Sequence, residues 1–241
     1  MTALVLRLAA PWQSWGTSSR FVRRNTDRAP SKSGVVGLLA AAQGRRRTDP
    51  IEDLIGLRIG VRIDQPGHIE RDFQTARPTD GSQAMPLSYR FYLADAVFLV
   101  AVEGDANMLA GLQEAIRRPA YPLFLGRRSC PPAGRVEHGV RETDVAGVLT
   151  HEPWFASKGV QESLSEPDVG LDVISDQPID GSDARREVVQ DDPISFDPER
   201  REHGWRTVYR QQVRIPNPHY RTRPATMVGA HDPMAALDGL D

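Results

Sequence analysis

The stretch SYRFYLADAVFLVAVEG, residues 88–104, is a long β-type run rich in aromatic and branched side chains. It passes directly into DANMLAGLQEAIRR, where Met108, Leu109, Leu112 and Ile116 recur at helical spacing and Asp105 is placed to cap the helix. The chain begins in the same way. ALVLRLAA reads as a short apolar strand closed by PWQSWG, and SKSGVVGLLAAAQG reads as a helix with Ser31 as N-cap, Val35, Leu38, Leu39 and Ala42 on one face, and Gly44 as stop. Between these units lie DPIEDLIG, a short helix with Pro50 at its first turn, and two strand candidates, LRIGVRID and HIERDFQTA, split by Gln65, Pro66 and Gly67. The order β-α-(α)-β-β-β-α, followed by a further strand-like piece, predicts an α+β fold. It is a ferredoxin-like (RRM-like) module with an extra hairpin between its strands.

The later chain is harder to read. HEPWFASKGV reads as a strand, WRTVYRQQVRI as the final strand, and residues 161–203, dense in acids, Pro and Ser, as a long acidic loop. Residues 216–241 read as a loosely ordered tail. The expected organisation is a ferredoxin-like body over residues 1–148 and a smaller, partly irregular C-terminal β region over 149–241.

Composition excludes several classes. In 241 residues there is one cysteine, so neither a disulfide framework nor a CxxC metal knuckle is available. No apolar stretch approaches a membrane span, and Arg7 interrupts ALVLRLAA before it could serve as a signal h-region. A cytoplasmic location and no membrane are expected. The formal charge of −2 hides segregation: residues 1–47 carry nine basic side chains against Asp27, and residues 205–223 carry five arginines and no acid. Residues 152–202 hold fourteen acids against five bases. Local field decides binding, so a basic groove remains open to a polyanion. Arginine outnumbers lysine 28 to 2, which a GC-rich coding sequence explains; it does not explain the clustering.

The segment YPLFLGRRSCPPAGRV, residues 121–136, concentrates the functional question. Cys130 as a nucleophile needs a base, and only His138 is close in sequence; a small buried cysteine is the competing reading. Gly126 with Arg127, Arg128 and Ser129 supplies a glycine that lets backbone N–H groups approach an anion and guanidinium groups that bond its oxygens, unless it is a solvated turn. Ser31, Lys32 and Ser33 offer a second anion site at a helix N-terminus, unless they only cap it. In a ferredoxin-like module the two sites can be neighbours and form one groove.

LRLAAPWQSWG at 6–16, RAPSKSGVVGLLAAA at 28–42 and PAYPLFLGRRSCP at 119–131 resemble the CasD family of type I-E CRISPR Cascade subunits. The resemblance covers roughly the first 150 residues, and LGRRSCP is its specific part. It implies a non-catalytic, cofactor-free, metal-free subunit that caps the 5′ handle of the CRISPR RNA. It further implies a β-hairpin thumb, docking against the backbone and large subunits, and encounter with target DNA through the assembled complex. Carried onto this chain, the RNA surface comprises Gln13, Trp15, Arg28, Ser31, Lys32, Ser33, Gly126, Arg127, Arg128 and Ser129, joined by the basic loop residues Arg20, Arg23 and Arg24. The thumb is the hairpin of about residues 71–92 with Arg71, Arg77 and Arg90. Each residue has a structural alternative: Trp15 packs beneath the helix or stacks on a base, Gln13 ties down a loop, and Tyr121 and Phe124 anchor the turn in the core. The rival function is a metal-independent endoribonuclease of CRISPR repeat RNA. It needs a general base, and none of the six histidines falls in the two cationic motifs.

Overall fold

The computed structural model describes residues 1–16, 23–80, 85–179 and 184–220; Arg20 and the end of the tail lie outside them, as does the side chain of Arg23. The elements in order are β1 (Thr2–Ala9), β2 (Trp12–Gln13), β3 (Arg23–Arg24), α1 (Lys32–Ala42), α2 (Glu52–Ile55), β4 (Arg58–Gln65), β5 (His68–Gln74), β6 (Ser88–Ala94) and β7 (Val97–Gly104). They continue with α3 (Ala106–Arg117), β8 (Glu137–Arg141), α4 (Val145–His151), α5 (Lys158–Ser163), β9 (Asp168–Ser175), β10 (Arg185–Ser195) and β11 (Glu202–Pro216). The protein is a mixed fold of helices and antiparallel sheet.

The larger sheet has seven strands in the order β10-β11-β9-β4-β7-β1-β8. β1 sits between β7 and β8 and is buried on both faces, which explains why ALVLRLAA reads as an almost unbroken apolar run. Leu4, Leu6 and Leu8 point into a core shared with α1 and α3, while Ala3 and Val5 point into a second core with Val148, Leu149 and Trp154. Ser31 caps α1 by accepting from the Gly34 N–H at 3.2 Å, and Asp105 caps α3 by accepting from Asn107 and Met108. Gly44 follows α1 with φ +78.

The run 88–104 is two strands in two sheets. Asp95 takes φ +56, a left-handed conformation that Asp tolerates better than branched residues, and breaks the run into β6 and β7. Gly67 lies against the same corner, where a Cβ would stand 2.2 Å from the Ala94 carbonyl oxygen. β6 then leaves the large sheet to pair with β5, from His68↔Ala94 to Gln74↔Ser88. β2 and β3 pair along the other edge of β6 and complete a four-stranded sheet.

Two expectations for the later chain are corrected. HEPWFASKGV is the end of α4, an irregular turn and the start of α5, held by Arg62. That buried guanidinium pairs with Asp64 and donates to the carbonyls of Leu149, Glu152 and Pro153, so the burial of its charge is matched by partners on all sides. Residues 161–203 hold α5, β9 and β10 in place of one acidic loop. In DVGLDVIS the residues Val169, Leu171 and Val173 are buried and alternate with outward-facing residues, which is a strand signal despite the acids. β9 pairs with β4, so the chain beyond residue 148 continues the large sheet. Pro193 is tolerated because β10 is its edge strand.

Candidate nucleic-acid interface

The LGRRSC segment is a tight turn seated on the residues after β1. Leu125 and Cys130 are buried, and the turn closes by Leu125 N–H to Cys130 O at 2.8 Å and Cys130 N–H to Arg127 O at 2.9 Å. Gly126 has φ +84, and a Cβ there would lie 1.6 Å from the Ser14 carbonyl oxygen, so glycine is required both for conformation and for approach. Burial pushes the Cys130 thiol up from its ordinary value, the wrong direction for a nucleophile. Arg127 turns inward: it donates to Phe91 O at 3.0 Å, Arg24 O at 3.0 Å and Asn25 O at 3.3 Å, with its guanidinium 4.7 Å from the centre of the Tyr92 ring. Arg128 and Ser129 face outward. Phe124 is half-buried, and Tyr121 is exposed where a core anchor was expected, because the turn is fixed by Leu125 and Cys130 instead.

Gln13 and Trp15 belong to the scaffold beneath this surface. Gln13 is fully buried; its Nε2 donates to the carbonyls of Leu8 and Ala96, and its Oε1 accepts from Trp15 Nε1 at 3.0 Å. Trp15 is 1% exposed and presses on α1, where a Cβ on Gly34 would meet its ring at 2.9 Å. Residues 13–15 are thus wedged between the start of α1 and the arginine turn, and they bring the two sequence motifs together.

The start of α1 already has its anion. The Lys32 N–H donates to Asp191 Oδ2 at 2.7 Å, and Lys32 Nζ stands 2.9 Å from Asp192 Oδ1, with the lysine side chain only 10% exposed. Arg206 grips Asp191 on its other side and also bonds Asp176. The helix N-terminus draws a negative charge, as its dipole requires, and β10 supplies it. Ser31 is consumed as the cap, with Ser33 Oγ 3.2 Å from its Oγ. Lys32, read from sequence as an outward cation, is a buried partner of the acidic strand.

Exposed cations lie on and beside the turn: Arg128 in it, Arg24, whose carbonyl Arg127 bonds, and Arg28, next to the Asp27 that bridges to Trp15. Arg23 contributes backbone pairing to β6. On the hairpin, Arg71 lies over the Tyr89 ring at 5.7 Å, Arg77 is exposed beyond β5, and Arg90 is half-buried. Sequence reasoning missed Trp12. It is 42% exposed and stacked on Tyr92 with centroids 4.8 Å apart, and the only available signal was aromatic density in PWQSW and SYRFYL. The exposed arginines have the chemistry to hold phosphates, and of the aromatic pair only Trp12 presents a ring on which a base could stack. His68, 3.1 Å from Glu70 Oε1, lies on the far strand of the same small sheet. Among the described residues no cluster of His, Cys, Asp and Glu is arranged to hold a metal ion, and no helix is long and apolar enough to cross a membrane.

Comparison with known proteins places most of the chain among relatives. The CasD subunit of the Cascade CRISPR system from Escherichia coli (strain K12) is 31% identical over 204 residues, covering 74% of this chain and 83% of that protein. A chain of a CRISPR RNA-guided surveillance complex superposes with a TM-score of 0.73 at 30% identity, over 92% of this chain and 95% of its own. A crystal structure of a Cas protein gives 0.67 at 32% identity, over 92% and 99%. A family model described as CRISPR-associated protein (Cas_Cas5) matches residues 3–209, and the chain belongs to that family.

Proposed function

We propose that this chain is the subunit of a Cascade-type surveillance complex that binds and caps the 5′ handle of the CRISPR RNA in the cytoplasm, without cutting it. In such a complex it docks a backbone subunit and the large subunit and meets target DNA through the assembly. The observation that carries the reading is the arginine turn: Arg24, Arg28 and Arg128 stand exposed around a backbone pinned by Gly126 and Arg127, on a chain of the Cas_Cas5 family. The strand order β4-β7-β1-β8, with helices α1 and α3 as crossovers, supports reading the core as ferredoxin-like and the β5–β6 hairpin as its thumb. Gln13, Trp15, Ser31 and Lys32 shape this surface from below, while Arg24, Arg28, Arg128 and Ser129 meet the RNA.

The cations at the turn are arginines, which stay protonated and cannot serve as a general base. The test uses end-labelled repeat RNA with the purified full chain, with and without divalent metal. Binding without a discrete product is expected. Affinity should fall with salt, and Arg128→Ala should flatten the log–log slope by about 0.7, one single-strand phosphate contact. A product that disappears in His68→Ala would establish the endoribonuclease in place of the cap.

A further inference from the structure

A lone exposed tryptophan needs no partner; Trp12 differs in how it is held. One face of its ring rests on Tyr92, at an interplanar angle of 27°. Tyr92 is itself only 1% exposed, since its ring is closed on one side by Trp12 and carries the Arg127 guanidinium 4.7 Å from its centre. Arg127 in turn is tied to three backbone carbonyls. The indole is therefore fixed before any ligand arrives, and no side-chain ordering remains to be done on binding.

Register identifies its neighbours. Trp12 lies opposite Ala94, and Arg24 lies opposite Arg90. Because side chains alternate along a strand, Ala94, Tyr92 and Arg90 share one face of β6, and Trp12 and Arg24 join that face from the adjoining edge. The Nε of Arg90 is buried and finds no acceptor among the described residues. The acids of this face, Glu70 and Asp72, sit on β5, with Asp72 opposite Arg90, while Arg24 lies on the other side of β6. A polyanion is drawn to the β2–β3 edge and repelled from β5.

We propose that Trp12 is a stacking platform for one unpaired nucleobase of the bound RNA, with Arg24 and Arg128 taking the adjoining phosphates. The inference rests on the RNA-binding reading above and adds to it a specific base contact. Aromatic–base stacking tolerates any base and suits a flat, exposed ring among guanidinium groups. A protein hot spot is also built from Trp, Tyr and Arg; what favours a nucleobase here is that Arg24 on this edge and Arg128 on the neighbouring turn are exposed cations suited to phosphates.

The experiment pairs Trp12 variants with abasic scanning. Repeat RNAs, each lacking the base at one handle position, are titrated against wild type, Trp12→Ala and Trp12→Phe, with melting temperature recorded for each chain. In wild type, one abasic position should weaken binding by about tenfold, within the range for loss of one stacked base. Trp12→Ala should bind intact RNA about tenfold more weakly and be indifferent to that same position, while Trp12→Phe keeps most of the affinity and of the abasic penalty. If Trp12→Ala does not fold, the same penalty persisting at its full size in a folded Trp12→Leu chain would overturn the proposal. It is also overturned if every abasic penalty survives in Trp12→Ala, or if that variant binds RNA normally but fails to join its partner subunits. A wild-type chain indifferent to repeat RNA would remove the underlying reading as well.

Discussion

Lys32→Met separates a structural cation from an RNA contact. Methionine keeps the length of the aliphatic stem and removes the charge that faces Asp192 at 2.9 Å. Deleting one member of a buried pair costs about 3–5 kcal/mol, whereas an exposed pair contributes about 0–1. With the lysine side chain 10% and the aspartate 29% exposed, the pair lies between these limits. A loss of about 2 kcal/mol is therefore expected. For a chain of this size that lowers the melting temperature by about 4–8 °C. Asp192→Asn should cost less in the Lys32→Met background than in wild type, because the second change no longer breaks a pair. The salt dependence of RNA binding should be unchanged, since the ammonium is already neutralised within the chain. Thermal melts and anisotropy titrations at several salt concentrations measure both quantities. An unaltered melting temperature with a slope flattened by about 0.7 would refute the argument and return Lys32 to the interface.

Gly126→Ala should fold less stably and bind RNA more weakly, because its Cβ would stand 1.6 Å from Ser14 O at φ +84; a melt matching wild type would show that the turn relaxes freely. The backbone conformation alone accounts for about 1–2 kcal/mol of that loss. Glu137 gives the chain an acid limb. Burial raises its pKa, but hydrogen bonds from Gln113, Arg135 and Arg117 outweigh this and lower it from 4.5 to about 2. A depressed carboxyl contributes stability that is fully present above its unfolded value and lost as pH falls through the folded one, here about 3 kcal/mol lost between pH 5 and 2. Urea titrations at pH 7 and pH 3 should therefore differ less for Glu137→Gln than for wild type, and an equal difference would contradict the assignment.

Where local chemistry decided the outcome, the sequence was readable. The Ser31 and Asp105 caps, the apolar face of α1 and the doubly buried β1 follow from residue spacing alone, and so does the order β1, α1, α2, β4, β5 and α3; the short strands β2 and β3 are not anticipated, and β6 and β7 read as a single run. Where a distant partner decided it, the reading failed. The acids of residues 161–203 suggested a solvated loop, yet Asp191 and Asp176 face Arg206, and Glu187 faces Arg210 across the β10–β11 pair. Charge density predicts exposure only when the opposite charge is out of reach. The break at Asp95 was hidden for a different reason, since neither side of it loses β-type composition.

The helix-start motif shows how a site can be recognised and yet misassigned. Ser31, Lys32 and Gly34 do form an anion-accepting helix terminus, and the anion it accepts comes from 159 residues further along the chain. Sequence gives the chemistry of each group, and topology decides which opposite charge reaches it first. Arg127 follows the same rule, because its donors are taken by backbone carbonyls and its ring contact by Tyr92. The groups left to meet a ligand are those whose neighbours in the fold are also cationic or aromatic: Arg24, Arg28, Arg128 and Trp12. A polyanion carrying unpaired bases complements both their charge and the exposed indole ring.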